Sequence, residues 1–202
     1  MKVLKSDNTD LSSKLKSLET KLSDSKVTIT DLSKQLSLKD QQGRMNNLEI
    51  CGVPFTKSEN LLNIMQCIVR KIGISLSSTD IDHIHRVRRF PLAKSSGENT
   101  QSPNNIIVKF TRRHKKSEVM TAVRARRGLT TLDLDIDGPA RPVFVNEHLT
   151  PDNKLLYNQA RKLGRECGFA YIWIKDCKIF VRKNDTSKPI LIGNESDLVK
   201  IK

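Results

Sequence analysis

Six side chains near the C-terminus combine aromatic rings with positive charge, which suits them to single-stranded nucleic acid. The segments 170–175 and 178–183 alternate apolar residues with aromatic or basic ones, and this pattern predicts a β-hairpin. Bases can stack on such rings while neighbouring cations neutralise phosphates, so we predict a nucleic-acid contact here. With a two-residue turn at Asp176 and Cys177, one face carries three cross-strand pairs: Tyr171 with Arg182, Trp173 with Phe180, and Lys175 with Lys178.

The sequence leaves the orientation of Trp173 open. Ile172 and Ile174 fall on the opposite face of the hairpin together with Ile179 and Val181, so that face is apolar throughout. Trp173 could still fill a core against the preceding helix, because it is the only Trp in a chain with 4% aromatic residues. The turn pair Asp-Cys is not the favoured Asp-Gly, which leaves the turn conformation undetermined.

A second cationic region precedes the hairpin in the chain. Residues 83–127 hold twelve Lys and Arg against the two acids Glu98 and Glu118, which gives a local net charge of +10. Such a density can form a phosphate-binding surface or a solvated face, and residues 112–116 can also be interpreted as a nuclear import signal. We expect the phosphate-binding surface. The twelve cations are Arg86, Arg88, Arg89, Lys94, Lys109, Arg112, Arg113, Lys115, Lys116, Arg124, Arg126 and Arg127.

Catalytic and metal-binding signatures are weak. His83 and His85 can share one strand face, but no Cys-x-x-Cys or His-Glu-x-x-His motif accompanies them. The alternating acids Asp133, Asp135 and Asp137 indicate a solvent-facing strand edge, although they could also attract a divalent cation. No glycine-rich phosphate loop and no recognisable nucleophile motif is present. We therefore expect no enzyme activity, no metal and no cofactor.

The overall charge favours a polyanionic partner. The 202-residue chain has a net charge of +14, a pI of about 9.8 and 37% hydrophobic residues. Charge alone does not distinguish RNA, DNA and an anionic membrane surface, but no run of roughly 18 apolar residues could span a bilayer. The first residues lack the apolar core of a secretory signal. We expect an intracellular location, in the nucleus or the cytoplasm, with free thiols at the four cysteines.

Residues 4–36 carry a heptad repeat that predicts an oligomeric coiled coil. The apolar stripe is two positions wide per heptad, and no Gly or Pro interrupts it, whereas a single helix packed on its own domain, the alternative, usually carries a broader stripe. Asn8 can fix the register of a parallel assembly, and the seam leaves dimer and trimer both open. The predicted oligomerisation residues are Leu4, Asn8, Leu11, Leu15, Leu18, Leu22, Ile29, Leu32 and Leu36.

Residues 44–140 predict an α+β domain after the coiled coil of residues 1–43. Gly43 ends the helical pattern, and the following elements come in the order strand, helix, strand, strand, helix, with a closing strand at 143–145. This βαββα(β) order fits a ferredoxin-like fold of the RNA-recognition type. The predicted elements are the strands 48–53, 84–88 and 105–110 and the helices 59–72 and 112–127.

Residues 141–202 predict a small C-terminal unit built from one helix and the β-hairpin. Thr150 is suited to cap this helix, because Pro151 follows at the first helical position, and Gly168 ends the helix after Cys167. The expected fold class is therefore α+β: a coiled-coil helix, an RNA-recognition-like domain and a helix-plus-hairpin unit.

Several short motifs resemble a known family when they are taken together. The chain from about residue 45 to residue 200 resembles the C-terminal domain of the baculovirus few-polyhedra protein and its insect relatives. The resemblance implies nucleic-acid contacts at His85 and Arg86, on the basic helix, at Arg161 and on the hairpin. Cys177 departs from the family, whose members tend to carry Gly in this turn. The motifs are Asn47-Leu-Glu-Ile-Cys-Gly-Val-Pro54, Glu59-Asn-Leu-Leu62, His85-Arg-Val87, Val145-Asn-Glu-His-Leu-Thr150, Leu156-Tyr157 with Ala160-Arg161, Trp173-Ile-Lys-Asp176 and Lys178-Ile-Phe-Val-Arg-Lys183.

The order of coiled coil, RNA-recognition-like domain and small C-terminal domain more distantly resembles the first open-reading-frame protein of LINE-type retrotransposons. That resemblance implies a trimeric RNA-binding nucleic-acid chaperone. The sequence thus predicts a non-catalytic oligomer of viral or retroelement kinship that binds RNA or single-stranded DNA. The alternative is a structural adaptor that uses the coiled coil and the basic surface to assemble proteins. Salt distinguishes the two, because contacts with phosphates weaken steeply as salt rises.

Overall fold

The computed structural model describes residues 2–87 and 104–201, with side chains from residue 11 onward in the first helix. The chain divides into two compact units, Met1–Gln42 and Gly43–Lys202. The class is mixed helix and sheet, as predicted. The second unit contains two sheets, each with its own hydrophobic core.

The first unit is one continuous helix, α1 (Lys2–Gly43), which confirms the predicted helix and its end at Gly43. Its apolar seam is not buried within the chain: every described Leu and Ile of the predicted seam is between 57% and 70% exposed. The side chains of Leu4 and Asn8 lie outside the described part. The exposed seam residues are Leu11, Leu15, Leu18, Leu22, Ile29, Leu32 and Leu36.

The second unit begins with a four-stranded sheet in the order β2-β3-β1-β4, and all neighbouring strands in it are antiparallel. Its sequence order of strand, helix, strand, strand, helix, strand is the predicted one, and each predicted element is present with ends shifted by a few residues. The bounds are β1 (Asn47–Cys51), α2 (Leu61–Lys71), β2 (Ile81–Val87), β3 (Asn105–Phe110), α3 (Arg113–Arg126) and β4 (Phe144–Glu147).

The core of this sheet follows from the two-residue period of its strands. Leu48 and Ile50 of β1 lie on the same face as Ile106 and Val108 of β3, and all four are fully buried. The helices α2 and α3 contribute further residues to this core, for example the fully buried Met65. In β1 and β3, the residues that alternate with these four lie on the opposite face of the sheet, away from α2 and α3.

The strand β4 lies beyond the boundary drawn at residue 140 in the sequence, yet it belongs to the first sheet. Leu48 of β1 pairs with Glu147, and Ile50 pairs with Val145. Leu149 is buried at 2% exposure just before the next helix. The first sheet therefore extends to residue 147, and the second core begins with the helix that follows.

The C-terminal part packs one helix on one face of a three-stranded antiparallel sheet in the order β5-β6-β7. The helix starts as predicted, because the Thr150 hydroxyl accepts the amide hydrogen of Asn153 at 3.3 Å. A Cβ on Gly164 would lie 2.5 Å from Cδ1 of Ile172, so this helix approaches the sheet closely there. The bounds are α4 (Pro151–Glu166), β5 (Tyr171–Lys175), β6 (Lys178–Arg182) and β7 (Ile190–Ile192).

The alternating acids of residues 133–137 do not form a strand edge, so that interpretation was wrong. Residues Thr131–Leu134 form a 3-10 turn, in which Asp133 accepts the amide hydrogen of Thr130 at 2.8 Å and pairs with Lys71 at 2.7 Å. The hydrogen bond from Lys71 and the Thr130 amide lower the pKa of Asp133 to about 2. Across residues 2–87 and 104–201, no group of three potential ligands is arranged to hold a metal ion.

Within the part of the chain that the structure describes, no helix has the length and apolar character needed to cross a membrane. All four cysteines lie in this part, and none of them forms a disulfide.

Candidate nucleic-acid interface

The hairpin has the predicted register and turn. Tyr171 pairs with Arg182, Trp173 with Phe180, and Lys175 with Lys178. The two turn residues that follow β5 both have positive φ, 52° and 58°, which is the conformation of a type I′ turn. This turn twists in the same sense as the strands it joins. A register fixed by a two-residue turn therefore puts all six predicted side chains on one face.

The structure settles the orientation of Trp173, which lies on the face away from α4. The core under α4 is made by residues of the opposite face, among them Ile179 and Val181 at 2% and 0% exposure. Trp173 and Phe180 are only half-buried, and their rings stack with centroids 5.6 Å apart and an 18° angle between planes. The sheet thus has an apolar face covered by α4 and an open face that carries a pair of stacked rings.

Tyr171 and Arg182 form a fixed pair at one end of this open face. The Arg182 guanidinium lies 4.4 Å from the centroid of the Tyr171 ring. Asp185 holds both groups, because one of its oxygens accepts the Tyr171 hydroxyl at 2.8 Å and an Arg182 nitrogen at 3.1 Å. The hydrogen bond to this carboxylate raises the pKa of Tyr171. One side of the Tyr171 ring is therefore occupied by Arg182. The stacked rings of Trp173 and Phe180 remain as the pair on which a base could stack, and we call this pair the platform.

The basic helix α3 presents a mixture of exposed and internal cations. Arg112, Arg113, Arg126 and Arg127 are exposed at the start and end of α3, where a phosphate could reach them. Lys115 pairs with Glu118 one helical turn away at 3.0 Å. Four of the arginines predicted as phosphate ligands are thus on the surface.

Lys116 is buried, so it cannot contact a phosphate as the sequence predicted. It is 2% exposed, and its ammonium group donates a hydrogen bond to Glu147 at 2.8 Å. Arg124 is exposed but is also engaged: it donates to Glu147 at 3.2 Å and to the carbonyl of Ile174 at 2.8 Å. A buried charge needs a partner of opposite sign, and Glu147 is that partner.

Arg86 is also structural. Its guanidinium pairs with Glu59 at 2.5 Å, and both side chains are about nine-tenths buried. It donates further hydrogen bonds to the carbonyls of Val53 and Pro54, at 3.1 and 2.9 Å. With these partners the side chain of Arg86 connects β2 to the segment after β1. It is therefore not available to contact nucleic acid as the sequence predicted.

The remaining predicted contacts belong to elements other than the hairpin and α3. His85 is exposed on β2 and stacks on His83 with ring centroids 4.7 Å apart. The ring is still partly shielded from water, and this desolvation, with the charge of His83, lowers the pKa of His85. Lys109 pairs with Asp82 at 2.6 Å on the neighbouring strand. Arg161 sits on the outer side of α4, whose inner side covers the apolar face of the small sheet. Three further predicted cations, Arg88, Arg89 and Lys94, lie outside the described residues.

The face of the four-stranded sheet opposite α2 and α3 is partly covered by side chains, including one from α4. Glu49 of β1 accepts hydrogen bonds from Asn105 at 2.8 Å and from Lys154 of α4 at 2.7 Å. Ile107 of β3 lies on the same face and is 1% exposed. A base therefore has no open platform at the centre of this sheet.

Sequence reasoning missed Glu147 as a site residue, although it contacts both α3 and the hairpin turn. The residue is 5% exposed, and its carboxylate accepts hydrogen bonds from the amides of Asp176 at 3.0 Å and of Cys177 at 2.7 Å, besides those from Lys116 and Arg124 of α3. Burial alone would raise the pKa of Glu147, but the hydrogen bond and charge of Lys116, with the Cys177 amide, hold it below its ordinary value. A signal was available, because Glu147 follows Val145 by two residues and must share its inward face.

The comparison with protein families matches the C-terminal part of the chain. The family model of Baculovirus FP protein domain 2 covers residues 150–202, which comprise α4 and the three-stranded sheet. Residues 150–202 are therefore similar to this domain, and we call this segment the FP domain 2 after the match. The resemblance to the few-polyhedra family is therefore confirmed for this domain, which contains the aromatic hairpin. The more distant resemblance to the LINE-type protein gains no support from this match. No curated protein matches the chain significantly.

Proposed function

We propose that this protein binds single-stranded nucleic acid, RNA or DNA, through the open face of its FP domain 2, and that it does so as a homo-oligomer without catalysis. The observation that carries the proposal is the stacked pair of Trp173 and Phe180 on the hairpin face opposite the α4 core. Exposed Lys175 and Lys178 lie next to the rings, and Arg182 flanks them on the other side. Stacking of bases on such rings is tolerant of sequence, so a general single-strand binder is the expected activity.

The charge distribution supports a polyanionic ligand. The chain carries a net charge of +14, and the exposed arginines of α3 lie in the same compact unit as the hairpin. Arg124 reaches the edge of β5 through the carbonyl of Ile174, so α3 runs beside the hairpin. A strand lying on the rings would therefore find cations close to its phosphates.

The four-stranded sheet supports the proposal of an RNA-recognition-type domain, because its strand order and sequence order are those of a split βαβ fold. Such domains commonly bind bases on the sheet face without helices. Here Glu49, Asn105 and Lys154 occupy the centre of that face. We therefore assign binding to the hairpin rather than to the larger sheet.

Self-association is part of the proposal because of the exposed seam on α1. A stripe of leucines at heptad spacing, each more than half exposed, is buried when two or more helices wind around each other. Linking several weak sites in this way raises the affinity for long strands without any new contact. A parallel dimer and a parallel trimer both satisfy this seam.

Filter-binding titrations of the whole chain against single- and double-stranded RNA and DNA test the proposal. We expect the single strands to bind more tightly, and the logarithm of the binding constant to fall steeply with the logarithm of the salt concentration. Absence of binding to all four ligands at low salt would contradict the proposal. The adaptor function would then be favoured, since a packed protein interface depends only weakly on salt.

A further inference from the structure

Glu147 joins the two halves of the second unit at one buried point. It belongs to β4 of the four-stranded sheet, but its carboxylate faces the hairpin turn of the FP domain 2. One oxygen accepts hydrogen bonds from Lys116, from the Cys177 amide and from the Cys177 thiol; the other accepts them from Arg124 and from the Asp176 amide. Both oxygens of this carboxylate are therefore fully engaged.

The turn that Glu147 holds is built from residues that do not favour its conformation. Asp176 and Cys177 both have positive φ, which costs little for Gly but is unfavourable for other residues. Their successive amides point at one carboxylate, as in an anion-binding nest. The Cys177 thiol is part of the same contact, and burial, with the charge of Glu147, raises its pKa to about 12. The hydrogen bonds to Glu147 thus stabilise a turn that the sequence alone does not favour.

The same cluster fixes the hairpin relative to α3. Arg124 of α3 bridges Glu147 and the carbonyl of Ile174, and Arg113 lies 3.9 Å from Asp176 across the turn. The platform is close to this junction, since Trp173 precedes the turn by three residues, or about 10 Å of extended strand. The ring pair is therefore fixed relative to the α3 residues at this junction, which include the exposed Arg113.

We propose that Glu147 is a positioning residue that makes one continuous site from two, so that a single strand runs from the Trp173 and Phe180 rings across the hairpin turn onto α3. The inference rests on the proposed function. It predicts that short strands use the rings alone and that longer strands gain affinity from the cations of α3. Without Glu147 the two contacts lose their fixed separation, and the gain from linking them falls.

The test compares oligothymidylates of roughly 4 and roughly 16 nucleotides, which bracket the usual site sizes of single-strand binders, on the whole chain. Fluorescence anisotropy gives the dissociation constants. We expect Glu147→Gln to leave the short strand bound within about twofold of the unchanged protein and to weaken the long strand about tenfold. A merely structural role would weaken both lengths together, because it would act through the fraction of folded protein.

Glu147→Gln leaves the buried charge of Lys116 without its counter-charge and could therefore unfold the protein. A second variant keeps the test valid in that case. The double variant Lys116→Met with Glu147→Leu removes both charges and still releases the turn. We expect the same loss confined to the long strand. Equal losses at both lengths, or no loss at either, in the variant that folds would overturn the inference. Failure of the unchanged protein to bind either strand would instead contradict the proposed function itself.

Discussion

The substitution Trp173→Ala distinguishes a binding platform from a core residue. In the structure the Trp173 ring is half-buried, contacts Phe180 and lies on the face that α4 does not cover. Loss of one base stack should cost roughly 1 to 3 kcal/mol of binding free energy to a single strand, which raises Kd roughly 5-fold to 150-fold. The slope of log Kd against log salt should not change, because no charge is removed.

The same substitution should have a small effect on folding. Trp173 would lose its contact with Phe180, worth about 0.5 to 1.5 kcal/mol beyond area, whereas a fully buried Trp loses about 3 to 5 kcal/mol of unfolding free energy when it is cut to Ala. Ile179→Ala is the matched control, since Ile179 is 2% exposed on the opposite face of the same hairpin. It should lower the unfolding free energy by about 2 to 5 kcal/mol and leave the affinity of the folded fraction unchanged.

Urea denaturation gives the unfolding free energies, and filter binding with a labelled single strand gives Kd. We expect the two variants to differ: Trp173→Ala should bind weakly but remain stable, and Ile179→Ala should lose stability but bind normally once folded. A Trp173→Ala protein that loses stability like the control and binds normally would refute the assignment of the ring to the ligand.

Four further outcomes are expected. Lys175→Ala should reduce the slope of log K against log salt by about 0.7 to 0.9, the contribution of one phosphate contact, with an unchanged melting temperature; an unchanged slope would exclude Lys175 from the site. Leu18→Asp should dissociate the oligomer in sedimentation, because a carboxylate in the seam loses its hydration, whereas Ser23→Asp, outside the seam, should not. Deletion of residues 1–43 should leave a folded monomer that binds short strands normally and long strands more weakly; a truncated protein that stays oligomeric would contradict this. Since the pKa of Glu147 is lowered in the fold, its carboxylate stabilises the protein above the unfolded value of about 4.5, and this stability is lost as the pH falls through the folded pKa. Acid melting curves of Glu147→Gln should therefore depend less on pH than those of the unchanged protein.

The hairpin was the part of the site that the sequence predicted best. A two-residue turn and a two-residue side-chain period leave only one register, so all three cross-strand pairs, including Trp173 with Phe180, were predicted correctly. The strand β7 was not predicted, because three residues, Ile190–Ile192, are too few to show a period. The helix caps Asn60 and Thr150 follow local rules, and Thr150 was predicted for that reason.

The cations show where sequence reasoning ends. Arg86, Lys116 and the exposed Arg126 are equally basic in the sequence, but the first two are buried against Glu59 and Glu147. Those acids lie 27 and 31 residues from their partners, so only the folded chain brings the pairs together. A cluster of positive charge therefore indicated a basic region correctly without indicating which of its members faces solvent.

The fluorescence emission of Trp173 tests most directly whether its ring contacts the bases, since this residue is the only Trp in the chain. Titration of the whole protein with a single-stranded RNA should quench the emission in step with binding measured by filter retention, and Phe180→Ala should weaken both together. The same titration of Phe144→Ala, which alters an exposed aromatic residue of β4, should match the unchanged protein. Binding with unaltered Trp173 emission would contradict the account and would move the primary site to the exposed arginines of α3.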